Sequence, residues 1–227
     1  DYGIYHTGGA PQILDCEVSV ADGQGIRVDC PSPTTTGSVA GCSVTMDTGR
    51  AFQLLTGQYA VSGATADFET ADYYNVGFNC GTSVGYARFT LENSFASVPS
   101  GAGVYIYDDS VKVHNITVDN VGTGIVCHNL ADVTVENCIV TNYNDGWEYA
   151  FENVKTAYCI ADGNDPYDTG SQGTGSVIQD PLYCDLAGNQ YTLRVDSYGN
   201  PENNTIGEQI GAYPVACMYG TLARDSE

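Results

Sequence analysis

Apolar and polar residues alternate in short bursts along this chain. Val104 pairs with Ile106, Ile125 with Cys127 and Trp147 with Tyr149, and the same spacing returns at Val111 and Val113 and at Val133 and Val135. A period of two places such residues on one face of an extended strand, so the pattern predicts strands rather than helices. After each burst a small residue or Asn precedes a further inward candidate, as in Asp15-Cys16, Gly41-Cys42, Asn115-Ile116 and Asn137-Cys138. An apolar residue follows two places later, which predicts a corner between two sheets.

The bursts recur. Written in register, seven units of 20 to 27 residues begin at Gly3, Gly23, Arg50, Val76, Gly101, Gly122 and Asn144. Strands of three to five residues are not stable alone, but stacked at about 4.8 Å they bury a continuous core. Seven such coils make a rod roughly 30 to 35 Å long. A β-sandwich also has many short strands, yet it predicts hairpin turns every 8 to 12 residues or so and no long register. The expected division is therefore coils over 1–166 and a C-terminal cap and tail over 167–227.

In this register Cys16, Cys42, Cys138 and Cys159 share an inward column with Ala64, Phe89 and Ile116. Buried cysteine packs as a small hydrophobe, which is the expected role of this column. Cys16 with Cys42, and Cys138 with Cys159, fall on neighbouring coils, and the sequence leaves open whether either pair is bridged.

Composition narrows the function classes. The chain has 28 acidic and 7 basic residues, a net charge of −21, which repels nucleic-acid phosphates and anionic membrane surfaces. Nucleic-acid binding is thereby disfavoured. The same field attracts cations, and calcium along the carboxylate-bearing loops at Asp108, Asp109, Asp165 and Asp168 is the cofactor to test against a simply solvated acidic surface. The nine cysteines include no CxxC pair and no Cys/His cluster at zinc-finger spacing, and their frequency beside so few lysines points to a secreted or surface protein. An odd count leaves at least one thiol outside intrachain pairs. No run approaches the length of about 18 apolar residues that a membrane helix needs, and "DYGIYHTGGA" has no signal-peptide character, so membrane insertion is not expected.

The coil pattern "G[IV]x[CIV]…VxVxN[CI]xV" over residues 3–166 resembles the right-handed parallel β-helix proteins of pectate-lyase-like architecture. The tail "GTGSVIQDPLYCDLAGNQYTLRVDS…IGEQIGAYPVAC" is similar to the end segment of bacterial secreted β-helix proteins, where it caps the last coil. That resemblance implies a disulfide between Cys184 and Cys217. A second cysteine pair often found in such tails is missing from "DSYGNPENNTIGEQIGA".

Enzymes of this architecture are mostly polysaccharide lyases, hydrolases and epimerases, and each of these chemistries needs its own set of residues. Glycoside hydrolysis uses two carboxylates about 5 to 9.5 Å apart. Asp108 and Asp109 are neighbours, but adjacent strand residues point in opposite directions, and the polygalacturonase companions "NTDG", "GHG" and "RIK" are absent. "NDPYDTG" is similar to the "DPHD" of alginate epimerases with Tyr167 in place of His, and its composition is that of a loop. A lyase needs a base beside a group that neutralises the uronate, and the seven basic residues are scattered.

The remaining candidate surface is the outward column of the first strand of each unit. It stacks Tyr5, Arg27, Gly77, Tyr105, Val126 and Glu148 beside Thr7, Asp29, Asn79, Tyr107 and His128. Aromatic rings with polar neighbours stack on sugar rings, so Tyr105, Tyr107, His128, Glu148 and Arg27 are the candidate glycan contacts, against the plainer role of good strand formers on an exposed sheet. His128 and His114 have no evident Ser or Cys partner, and His6 lies near the open end. Asn115 and Asn203 match the glycosylation sequon, although Asn115 also holds the corner position of its unit.

Coil pattern begins by Gly3, and an unshielded end exposes strand edges that template association. Head-to-tail contact between copies would give a filament. The expectation is thus an extracellular structural or adhesive protein that is able to polymerise. A polysaccharide lyase or hydrolase, and a non-catalytic glycan-binding module, are the alternatives.

Overall fold

A computed structural model describes residues 2–30, 36–81, 87–107, 110–128, 133–143, 149–163, 166–167, 171–185, 188 and 190–217. Among these there is no helix, and strands stack in parallel into a β-solenoid of about eight turns. The parallel register of every pair in the stack excludes the β-sandwich.

Each turn contributes to three faces. The first face stacks Tyr2–Thr7, Val76–Cys80, Ala102–Ile106, Thr123–Cys127 and Phe151–Glu152 with the second halves of Glu17–Asp29 and Ser43–Leu54. The second face runs from Gln12–Leu14 through Thr36–Ala40, Gly57–Ser62, the start of Ala87–Ser97, the start of Val111–Val121 and Thr134–Glu136 to Lys155–Ala157. The third face continues from the first halves of Glu17–Asp29 and Ser43–Leu54 through Thr65–Phe68 and the ends of Ala87–Ser97 and Val111–Val121 to Ile139–Tyr143, Ile160–Ala161 and Val177–Ile178. Seven coils were expected; Tyr167, bridged to Phe151, and Val177–Ile178 carry the stack one turn further.

The corner between the second and third faces is the same in every turn. Asp15, Gly41, Gly63, Asn93, Asn115, Asn137, Tyr158 and Gly175 all have φ between 50° and 68°. Only Gly and, less readily, Asn and Asp adopt this left-handed conformation at low cost, which is why the unit repeats those residues there. Asn115 donates from Nδ2 to Asn93 Oδ1 at 3.3 Å, so neighbouring corners also bond to each other.

The glycine that opens the G[IV]x[CIV] pattern has a packing cause. At Gly25 a Cβ would lie 2.3 Å from Val44 Cγ1, and at Gly103 it would lie 2.3 Å from Val118 Cγ1. First and third faces approach too closely there for a side chain. The residues one place on form the central stack: Ile26, Phe52, Phe78, Val104, Ile125 and Phe151 are all fully buried in register. Phe52 stacks on Phe78 at 4.9 Å, Tyr59 on Phe89 at 5.4 Å and Phe151 on Tyr167 at 5.2 Å.

Two register expectations are corrected. Phe89 belongs to the second-face stack on Tyr59, and the corner column takes Ser94 instead, whose Oγ accepts from Ala64 N at 3.1 Å and donates to Glu92 O at 2.8 Å. In the seventh unit Phe151, not Tyr149, takes the inward place in register with Ile125, beside the buried Ala150; Trp147 lies outside the described residues. Cys16, Cys42, Cys138 and Cys159 do occupy the corner column, and all four are free thiols.

The C-terminal segment forms a separate sheet, Tyr183–Asp185, Gln190–Arg194 and Val215–Cys217, tied by the Cys184–Cys217 disulfide that the resemblance implied. Its contacts run along the flank of the solenoid as far up as the fourth turn. Tyr191 lies 4.5 Å from Phe95 and donates to the buried Asp119 Oδ2 at 2.9 Å. Leu193 and Ile210 pack on Ile139 and Ile160, and Gly211 N donates to Asn137 O at 2.7 Å.

Candidate functional site

The outer side of the first face carries Tyr5, Arg27, Gln53, Asn79, Tyr105, Val126 and Glu152 in one register line. This corrects the expected column at two places. Gly77 is in the inward small-residue column at the approach to the third face, where its Cβ would meet Gly103 O at 2.6 Å, and Asn79 takes the outward place. Glu152, not Glu148, is the acidic member; Glu148 lies outside the described residues.

Tyr105, Tyr107 and His128 come together as expected. Tyr105 is 4.9 Å from Tyr107 and 5.9 Å from His128, and Tyr107 is 5.2 Å from His128, measured between ring centroids. The Tyr105 hydroxyl and His128 Nδ1 share a hydrogen bond of 2.8 Å. Burial, with smaller contributions from Tyr107 and Glu152, pushes the Tyr105 phenol above its ordinary pKa, so it stays a neutral donor and acceptor. Strand alternation directs Tyr105 and Tyr107 to the same side, and His128 follows because its N–H continues the ladder to Ile106 O.

Of these rings, Tyr105 and Tyr107 line an open groove of about 530 Å³. Asn79, Ala102, Val126, Arg50, Thr123 and Glu152 also line it. Tyr73 and Tyr74 line it as well; they are 70% and 81% exposed and meet edge to face at 5.7 Å. They stand on a turn that Asp72 fixes by accepting from Tyr74 N at 2.9 Å. The buried Asn75 side chain braces the same turn: its Oδ1 accepts from Gly49 N, and its Nδ2 donates to Thr70 O. The repeat pattern does not reveal Tyr73 and Tyr74 because they sit between strands; two adjacent aromatics beside an Asp-Asn turn were the available signal.

Arg27 is apart from this cluster. It lies over Tyr2 and Tyr5, 5.6 and 5.3 Å from the ring centroids, and donates to Gln24 Oε1 at 3.1 Å. Three strand spacings, roughly 14 Å, separate it from Tyr105. Between them Gln53, only 5% exposed, has no hydrogen-bond partner for its carbonyl oxygen.

The calcium candidates Asp108, Asp109, Asp165 and Asp168 lie outside the described residues. Among the described residues no three His, Cys, Asp or Glu side chains are placed to hold a metal ion. Asn115 makes the corner bond described above, while Asn203 is exposed with Nδ2 bonded to Val195 O and Ser197 O at 2.6 and 2.8 Å. His114 accepts from Asn137 Nδ2 at 3.1 Å and belongs to the corner, not to the groove. The cysteines behave as packing groups: burial alone pushes the Cys80 thiol up to about 12, and burial with the neighbouring Cys159 raises Cys138.

No family model matches the chain, and no curated protein or solved structure shows significant similarity to it.

Proposed function

We infer that the chain is an extracellular adhesive β-solenoid that holds a polysaccharide in the first-face groove without cleaving it. The observation that carries this reading is one open groove lined by Tyr105 and Tyr107, which cluster with His128, by the exposed Tyr73 and Tyr74, and by the amide of Asn79 and the hydroxyls of Ser100 and Thr123. Sugar rings present C–H faces that pack on aromatic rings and hydroxyls that need such partners. Among the described lining residues Glu152 is the one carboxylate, whereas a hydrolase uses a pair. The resemblance of the coils to secreted pectate-lyase-like proteins and the Cys184–Cys217 disulfide support an extracytoplasmic setting.

The test is titration calorimetry against a panel of neutral and acidic polysaccharides, with and without calcium, alongside product analysis. Binding without new reducing or unsaturated ends is the expected result, and Tyr105→Ala with Tyr107→Ala should weaken it by about tenfold or more. Turnover would replace this reading with the lyase or hydrolase alternative, and retained affinity in the double variant would move the site elsewhere.

A further inference from the structure

Cys16 departs from the packing role of the other thiols. It is half-buried on the first turn, with Sγ donating to Leu14 O at 3.2 Å, whereas Cys42, Cys138 and Cys159 in the same corner column are fully enclosed. Ser43 N donates to Cys16 O at 2.7 Å and Glu17 pairs with Ser43, so Cys16 and Cys42 are register neighbours on turns one and two. Neighbouring parallel strands lie about 4.8 Å apart, inside the Cα separation of roughly 4.4 to 6.8 Å that a disulfide spans. The Cys42 thiol also leans toward the first turn, its Sγ donating to Ile13 O at 3.5 Å.

The other free thiols lack a neighbour or lack access. Cys138 and Cys159 repeat the arrangement at the corners of turns six and seven, but both are fully buried, and the C-terminal segment packs on that corner through Gly211 N and Asn137 O. Cys80 and Cys127 share a column with Ile106 between them. Cys30 is fully buried with Sγ donating to Gly9 O at 3.0 Å. Among the described residues, one thiol pair combines adjacency with access to solvent.

We propose that Cys16 and Cys42 form an inter-turn disulfide by exchange with a low-molecular-weight disulfide, Cys16 reacting first and Cys42 resolving the mixed disulfide. Cys16 gives its proton to solvent and its thiolate attacks one sulfur of the reagent; the reagent's S–S bond breaks and the first thiol leaves, taking up a proton. Cys42 then loses its proton and attacks the Cys16 sulfur, which expels the second thiol. The two cysteines are together oxidised by two electrons, and the reagent is reduced to two thiols. Burial, with Cys16 beside it, raises the Cys42 thiol above its ordinary pKa, so attack begins at the accessible partner. Exposed Asp15 and Glu17 flank Cys16 in a chain of net charge −21, which favours a cationic reagent.

Cystamine, a cationic disulfide, tests this on the folded chain after mild reduction, with peptide mapping to verify that Cys184–Cys217 is intact. The expected product joins residues 16 and 42 and releases both halves of the reagent as cysteamine. Cys42→Ser should stop at a stable mixed disulfide on Cys16, and Cys16→Ser should react at least about tenfold more slowly, with circular dichroism confirming that both variants are folded. A mixed disulfide that persists on Cys16 in the wild-type chain would overturn the proposal, because the neighbour then fails to resolve it. So would a Cys138–Cys159 bridge that forms as fast, an unreactive wild-type chain, or a Cys42→Ser chain that takes up no reagent. None of these outcomes depends on the first-face groove.

Discussion

Within the solenoid a side chain meets its own counterpart one turn away: Phe52 lies on Phe78, and Val44 pairs with Ala66. In the C-terminal segment no residue has such a counterpart. That region is held by bonds made once each, such as Tyr191 to Asp119, Ser197 Oγ to Pro181 O, and Asn204 Nδ2 to Glu208 O at 2.8 Å, and by one disulfide. Repetition stabilises by summing nearest-neighbour interfaces, so the loss of one contact is shared with adjoining turns. A segment of unique contacts has no neighbour to share it with, and covalent closure takes that role.

Three substitutions sharpen the contrast. Phe78→Ala removes a fully buried ring between Phe52 and Val104 and should cost about 3 to 5 kcal/mol, read as an earlier denaturant midpoint for the whole solenoid. Local loss confined to one turn would show that the turns are not coupled. Cys184→Ser with Cys217→Ser opens a closure spanning 33 positions and should cost roughly 3 to 4 kcal/mol. Hydrogen exchange should locate that loss in 183–217 while the first three turns keep their protection; uniform loss would mean that the two regions unfold as one. Asn115→Ala forces a side chain without a local acceptor into φ 54° and should cost about 1 to 2 kcal/mol, whereas Asn115→Gly should be nearly neutral. Equal thermal shifts in the two variants would assign the effect to the lost bond with Asn93 instead of the backbone.

The same contrast explains what the sequence made legible. The Gly of the G[IV]x[CIV] pattern and the Asn-Cys or Gly-Cys corner report backbone constraints that recur, so the strands, the corner column and the parallel stack could be read directly. Register slipped where a unit departs from its neighbours. Asn93-Ser94 continues the corner pattern, but Phe89 is the larger apolar residue nearby and attracts the alignment; Trp147 and Tyr149 do the same beside Phe151. The Tyr105, Tyr107 and His128 cluster was legible because strand alternation fixes its direction. Tyr73, Tyr74 and the flank contacts of Tyr191 were not, because irregular turns and once-only contacts leave no periodic trace.

The left-handed corner also divides the chain into places where length is fixed and places where it is free. All eight turns cross from the second to the third face through that one bend, whereas the link from the first face to the second ranges from two residues, Leu55 and Thr56, to the six of 81–86. Insertions at the fixed corner would shift every later rung, while insertions at the variable one leave the stack in step. Tyr107 and His128 stand at the mouth of that variable link, so the rim of the groove can be rebuilt by loop exchange without retuning the rod that carries it.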